Sequence, residues 1–303
     1  MSHALALLIA LGLDAIFGEP DVLWKRVPHP AVLMGRAVGW TDRMMNHGHG
    51  RLIAGGLALA ALVLGAWLVG AVLARFGWPV EILVAAILLA HRSLTDHVRA
   101  VAEALSLSVE EGRAAVARIV GRDTAEMDAP RIARAAIESA AENFSDGVVA
   151  PAFWFLVAGL PGLMVYKLVN TADSMIGYRT PRHELFGKPA ARLDDLLNWI
   201  PARLSALLLY LTNPRGGGWA VIARDARLHR SPNAGWPEAA MATGLDIALS
   251  GPRSYHGEMR DEPFVHDEGR HEIGAAEIDD AVAALWRAWA ALAALAAVLV
   301  VLS

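Results

Sequence analysis

The sequence predicts an all-α polytopic integral membrane protein, with about four to six membrane-associated helices, some of them candidates for re-entrant hairpins, and helical cytoplasmic loops. Three observations predict it. Apolar residues make up 55% of the 303 positions, charged residues only 19%, and the mean hydropathy is +0.38; soluble domains carry about 45–50% and about 25%. Residues 52–74 are 23 consecutive uncharged positions, enough helix to cross a hydrocarbon core of about 30 Å. The remaining apolar residues recur at three- and four-residue spacing, with no alternating strand pattern. The whole chain, 1–303, reads as one membrane-embedded domain with polar segments at about 19–51, 91–147, 170–195 and 213–283.

Taken in order, Ala4–Leu13 is apolar, lacks a basic leader and runs through Asp14 to a turn at Gly18-Glu19-Pro20. A first membrane helix ending near Gly18 fits it better than a signal peptide. The Pro- and Gly-rich stretch 14–36, with Asp14, Glu19, His29 and Arg36 at its corners, is either a lid or a rigid interfacial connection. Trp78–Ala90, with Pro79 near its start, pairs with the 52–74 helix through Phe76-Gly77. Residues 97–142 are helical with a break near Gly121–Pro130. Val148–Tyr166 is uncharged but interrupted by Pro151, Gly159, Pro161 and Gly162. Such breaks survive at membrane depth only against protein or a wet cavity, so a re-entrant hairpin turning at Pro161-Gly162 competes with a straight span. Leu196–Thr212, with Pro201 and Arg203, is equally ambiguous, and 250–280 reads as a surface loop of low order. A final span runs from Ala281 to Leu302, with Arg287 reaching for the headgroups.

The four polar segments hold 23 (5, 7, 4 and 7) of the 27 Lys and Arg residues, and basic loops favour the cytoplasm. All four stay inside if Met1 is outside and 148–169 and 196–212 re-enter or lie in the interface; a reporter near Gly187 active only on the external face would rule this out.

Several chemistries are excluded. Zero cysteines remove disulfides, thiolate nucleophiles and Cys-ligated metals. No GxxxxGK[ST] or GxGxxG segment occurs. A formal charge of -4 without a long basic run gives no nucleic-acid footprint. The eleven histidines include no HExxH pair, so bound zinc is not expected.

Four clusters carry the polar chemistry. Glu138, Glu142 and Asp146 follow at i, i+4, i+8, which on a continuous helix is one acidic face, either solvated or functional. Lys167, Asn170, Asp173, Ser174 and Gly177 recur at helical spacing beside apolar sequence, and Arg179, Arg182 and Lys188 follow. Amide and carboxylate oxygens suit Mg²⁺, and the cations suit phosphate. Asp194, Asp195 and Asn198 lie within one turn ahead of Arg203. Ionisable groups at membrane depth are costly and are functional candidates, although Asp194 alternatively caps its helix. Arg224, Asp225, Arg227, His229 and Arg230 precede a Ser-Pro-Asn turn, as an anion site or a surface helix with internal ion pairs.

The ordered motifs DAIFGEP, HPAVLMGR, RSLTDHVRAV, ESAAENFSDGVVAPAFW, KLVNTADSMIGYRT, FGKPAARLDDLLNWIPARL and RDARLHRSPNAGWPEAAMA, from about Asp14 to Gly257, resemble the adenosylcobinamide-phosphate synthases of cobalamin biosynthesis. The resemblance implies a multi-pass membrane enzyme with a cytoplasm-facing site. It would join adenosylcobyric acid to (R)-1-amino-2-propanol or its O-phosphate through an amide bond, with ATP as co-substrate and Mg²⁺. Partners beyond these are the bilayer and a second copy or other membrane enzymes of the pathway. The residues expected to hold Mg²⁺ are Asn170, Asp173, Asp194 and Asp195, with Glu142 and Asp146 as second-rank ligands or the base that frees the amine. Lys167, Arg179, Arg182 and Arg203 would neutralise phosphates, and Arg224, His229 and Arg230 would meet the corrinoid's periphery or phosphate.

Two other readings stay open from the residues alone. A transferase on a lipid pyrophosphate would also want Asp-rich helices and Mg²⁺ but no ATP. A non-catalytic membrane regulator would tolerate simultaneous loss of Asp173 and Asp195.

Overall fold

A computed structural model describes residues 1–20, 24–214, 218–255 and 258–302. The chain is almost wholly helical, as the hydropathy pattern requires. Four helical stretches are long and apolar enough to cross a membrane: Arg51–Ala74, Trp78–Leu107, Ala129–Ile176 and Ala275–Leu302. The molecule is a polytopic all-α membrane protein. It divides into two compact units, residues 1–90, 146–199 and 296–303 in the first and residues 91–145 and 200–295 in the second.

The first unit is built on α1 (His3–Phe17), α2 (Pro30–Met45), α3 (Arg51–Ala74), α4 (Trp78–Leu88), α8 (Ala150–Ile176) and α9 (Lys188–Leu197). His29 caps α2, its Nδ1 accepting from the Ala31 N–H (3.2 Å), while its ring meets Trp24 edge-on at 4.6 Å. The connection before α2 is thus rigid at this end; residues 21–23 of the lid alternative lie outside the described residues.

α8 is the decisive element. Ala158 and Gly159 leave helical geometry, Gly159 with φ +61°, a conformation a side chain resists. A Cβ on Gly162 would stand 2.6 Å from the Ala158 Cβ and 2.7 Å from the Trp154 carbonyl oxygen. Eight residues of straight helix would hold Trp154 and Gly162 about 12 Å apart, so the chain doubles back. The carboxylate of Asp146, ahead of the first limb, accepts from Asn170 on the second at 3.2 Å. Val148–Tyr166 is therefore a helical hairpin whose two mouths lie together. Its apex is at Ala158-Gly159, with Pro161 opening the second limb, rather than at Pro161-Gly162 itself.

The second unit contains α5 (His91–Leu107), α6 (Val109–Val116), α7 (Ala129–Phe144), α11 (Trp219–Asp225), α12 (Gly235–Leu245), nearly all of α10 (Trp199–Thr212) and most of α13 (Ala275–Leu302). Asp128 caps α7 by accepting from the Arg131 N–H at 3.0 Å, and Pro130 sits in its first turn, which places the helix start where the Gly121–Pro130 break ends. Ile132, Ala133, Ile137, Ala140 and Phe144 of α7 are fully buried.

Two expectations are corrected here. The stretch 250–280 is not a low-order loop: β1 (Leu249–Ser250) pairs with β4 (Phe264–Val265), β2 (Arg253–Tyr255) pairs with β3 (Glu258–Arg260), and Val265 and His266 are buried. Its His256 and Gly257 lie outside the described residues. Arg287 does not extend toward headgroups, because its guanidinium donates to Asn213 Oδ1 at 2.8 Å from Nε. The charge-assisted bond to the buried Asn213 amide oxygen holds this exposed guanidinium against the protein.

Candidate functional site

A five-residue π-helical turn, Ser145–Val149, separates α7 from α8. Asp146 lies inside it, so the stripe Glu138–Glu142–Asp146 does not continue in phase: a wider turn rotates whatever follows it. Asp146 belongs instead to a polar cluster in the first unit. Asn170 Nδ2 bridges Asp146 (3.2 Å) and Asp194 Oδ1 (3.4 Å), and Asn198 Nδ2 donates to Asp194 Oδ2 at 3.0 Å. The fully buried Tyr166 hydroxyl donates to Asn198 Oδ1 at 2.9 Å and lies 3.1 Å from the Asp146 carbonyl. Asp194 is not the N-cap of α9, which is Gly187; it sits near the other end of that helix, one turn before Asn198.

Burial, with the charges of Asp173 and Asp195 added, pushes the Asp194 carboxyl up to about 7 despite its two amide donors. Asp195 is raised as well, by burial, with Arg192 pulling the other way. The charges that Lys167 faces are Asp146 and Glu19. Asp146, Lys167, Asn170, Asp173, Asp194 and Asp195 thus form one electrostatic neighbourhood. Among the described residues no three His, Cys, Asp or Glu side chains stand as a metal cage.

The expected arginines are arranged differently. Arg179 is exposed. Arg182 is engaged by Asp42 (2.6 Å), whose carboxyl is raised by burial but more than offset by hydrogen bonds from Arg182 and Asn46. In the second unit, Arg203 donates to Asn233 Oδ1 at 2.9 Å and lies 4.8 Å over the Trp236 ring. Arg224 pairs with Asp225 at 2.7 Å and Arg230 is exposed. His229 approaches Glu238 at 3.7 Å, and burial lowers its pKa.

The sequence profile described as CobD/Cbib protein matches residues 7–285. The chain belongs to the CobD/Cbib family. Relatives named cobalamin biosynthesis protein CobD are 47% identical in Brucella suis (93% of this chain, 92% of the relative) and 50% identical in Sinorhizobium fredii (94% and 93%). Another, from Rhodobacter capsulatus, is 48% identical over 277 residues (88% of each chain). No solved structure matches.

In this CobD/Cbib chain, sequence reasoning missed a second buried polar centre. Glu138 pairs with Arg122 (2.6 Å) and Arg253 (3.2 Å) and accepts from the Ser250 N–H (2.7 Å). Glu238 is buried nearby, and burial together with Glu138 and Glu142 raises its carboxyl well above the usual range. Glu142 itself is exposed. The only local signal was a lone acid, Glu238, inside the apolar run 234–245.

Proposed function

We propose that this protein forms the amide bond between adenosylcobyric acid and (R)-1-amino-2-propanol or its O-phosphate, with ATP and Mg²⁺, at the Asp194 cluster. The observation that carries the reading is the crowding of Asp173, Asp194 and Asp195 with only amide donors on Asp194, in a chain of a family whose relatives are cobalamin biosynthesis proteins. Crowded carboxylates repel one another, and a divalent ion relieves that. The donor set fits Mg²⁺, which takes one or two carboxylates and completes its shell with phosphate oxygens and water.

Bound Mg-ATP supplies the phosphoryl group that turns a poor acyl donor, the corrinoid carboxylate, into an acyl phosphate. The chain's own residues do the rest. Asp194 and Asp195 would hold the metal side of the site, with Asp173 beside them and Asn170 and Asn198 orienting Asp194. Lys167 and the exposed Arg179 draw the phosphates in and offset developing charge. Arg182 is left to Asp42 and Arg203 to Asn233 and Trp236. Asp146, hydrogen-bonded to Asn170, takes the proton from the ammonium so that the amine becomes nucleophilic. The hairpin brings its two flanks together at Asp146 and Asn170, which supports a reading with both on one membrane side, the cytoplasmic one.

Purified protein in detergent, given adenosylcobyric acid, ATP, Mg²⁺ and each amine, should yield the condensed corrinoid by mass. Folded protein that condenses neither amine would defeat the reading. Asp195→Asn that kept full activity at limiting Mg²⁺ would defeat the metal assignment alone.

A further inference from the structure

A cavity of about 500 Å³ opens in the second unit, between the 122–127 loop, the first turns of α7 and the Ser250–Arg253 turn. Its volume falls in the range of small-molecule sites, about 300–1,000 Å³. Four guanidiniums line it, those of Arg122, Arg131, Arg134 and Arg253, against two acids, Asp123 and Glu126. Arg134 is half-buried, donates to the His271 carbonyl at 3.1 Å and lies 5.7 Å from the Phe264 ring centre. Among the described residues no carboxylate stands within 4.0 Å of it, and the charges of Asp128, Glu138 and Glu272 reach it only from farther off. Half-burying a guanidinium against a neutral carbonyl is costly unless an anion joins it.

The wall opposite is built to stay in place. Ser250 adopts φ +64° and Gly251 φ +79°, and a non-glycine residue holds that strained conformation only when its surroundings fix it. Glu138 does so by accepting the Ser250 N–H at 2.7 Å, and Arg253 bonds the Ser250 hydroxyl. Arg122 and Arg253 are each about nine-tenths buried, at 10% and 11% side-chain exposure, and both are positioned by Glu138.

We propose that this cavity binds a small molecule carrying a phosphate group, with Arg134 as the principal anchor and Arg122, Arg131 and Arg253 around it. Guanidinium forks match phosphate oxygens in pairs. Asp123 and Glu126 at the same cavity give an ammonium-bearing phosphate a second hold, while the volume also admits a nucleoside triphosphate. The inference does not rest on the amide-forming reading, because binding is measured without turnover.

The test uses the full chain in detergent and calorimetric titration with inorganic phosphate, ATP and 1-amino-2-propanol O-phosphate, with no corrinoid present. The wild type should bind at least one of them, and Arg134→Gln should weaken that binding about tenfold or more. Arg134→Lys should recover part of it, and Arg99→Gln, on an exposed face of α5, should bind as the wild type does. Binding tightest for ATP assigns a nucleotide; binding tightest for the aminoalcohol phosphate assigns a phosphorylated amine. If Arg134→Gln fails to fold, phenylglyoxal modification of the wild type reads the same point: the bound ligand should protect Arg134, mapped by mass spectrometry. No binding by any of the three, or undiminished binding in folded Arg134→Gln, or Arg134 modified equally with and without ligand, overturns the proposal.

Discussion

Two groups of buried acids in this molecule have opposite surroundings. Glu138 in the second unit meets two guanidiniums and a backbone N–H, so its negative charge is neutralised by the protein itself. Asp194 in the first unit meets two side-chain amides and lies among two more carboxylates, so its own carboxyl is answered by amides rather than by a guanidinium. The first arrangement is complete in the folded chain; the second, on the proposed reading, would be completed by a divalent ion. That difference, rather than the number of acids, separates a structural charge centre from a candidate active site.

The largest expected effect tests the complete centre. In Glu138→Ala, Arg122 and Arg253 would face each other across the lost carboxylate at 10% and 11% exposure. Breaking such a pair costs about 3–5 kcal/mol, read as a large fall in the unfolding midpoint in detergent. A loss under about 1 kcal/mol would place Glu138 with the surface pairs and dissolve the contrast.

Asp194→Asn tests the incomplete centre and should behave in the reverse way. Removing one charge from a crowd of three should leave stability unchanged or raised, while turnover falls and the apparent Mg²⁺ requirement rises about 10–100-fold. The pH dependence carries a sign. The folded carboxyl titrates near 7 against a reference of 3.8, so between those values the folded state binds more protons than the unfolded one. Stability from this group is therefore full below about pH 4 and is lost as pH rises toward 7. The difference between wild-type and Asp194→Asn unfolding curves should show that slope and flatten above it.

How much of this was legible in the sequence follows from chain distance. Asn170, Asp194 and Asn198 announce themselves because helical spacing beside apolar sequence is a local signal, and the breaks in 148–166 mark the hairpin. The apex shifted from Pro161-Gly162 because proline is comfortable opening a helix, whereas Gly159 alone takes the positive φ. The Glu138 centre was invisible, since its partners come from a loop before α7 and from β2 near the far end of the chain. The π turn was invisible too: nothing in SDGVV forbids an ordinary helix.

The hairpin is what brings Asp146 to Asn170, so it admits a smaller, separate test. Gly162→Ala puts a methyl 2.6 Å from the Ala158 Cβ and 2.7 Å from the Trp154 carbonyl, and overpacking of this kind costs about 1–3 kcal/mol. Gly12→Ala in α1, with nothing within 4 Å, should be neutral or slightly stabilising. Equal effects of the two substitutions in thermal unfolding would contradict the doubled-back chain.

The smallest effect belongs to Arg182, a phosphate candidate on sequence grounds whose partner is Asp42. Its side chain is 55% exposed against 12% for Asp42, so the pair is worth at most about 1 kcal/mol. Because hydrogen bonds from Arg182 and Asn46 hold the Asp42 carboxyl below 3.8, that contribution is present above about pH 4 and lost as pH falls through the lowered value. Arg182→Gln should shallow the acid limb of the stability profile and leave the KM for ATP unchanged. A KM rise with an unaltered acid limb would mean that Arg182 leaves Asp42 for substrate, and the line between self-neutralised and waiting charges would then have to be drawn through this pair as well.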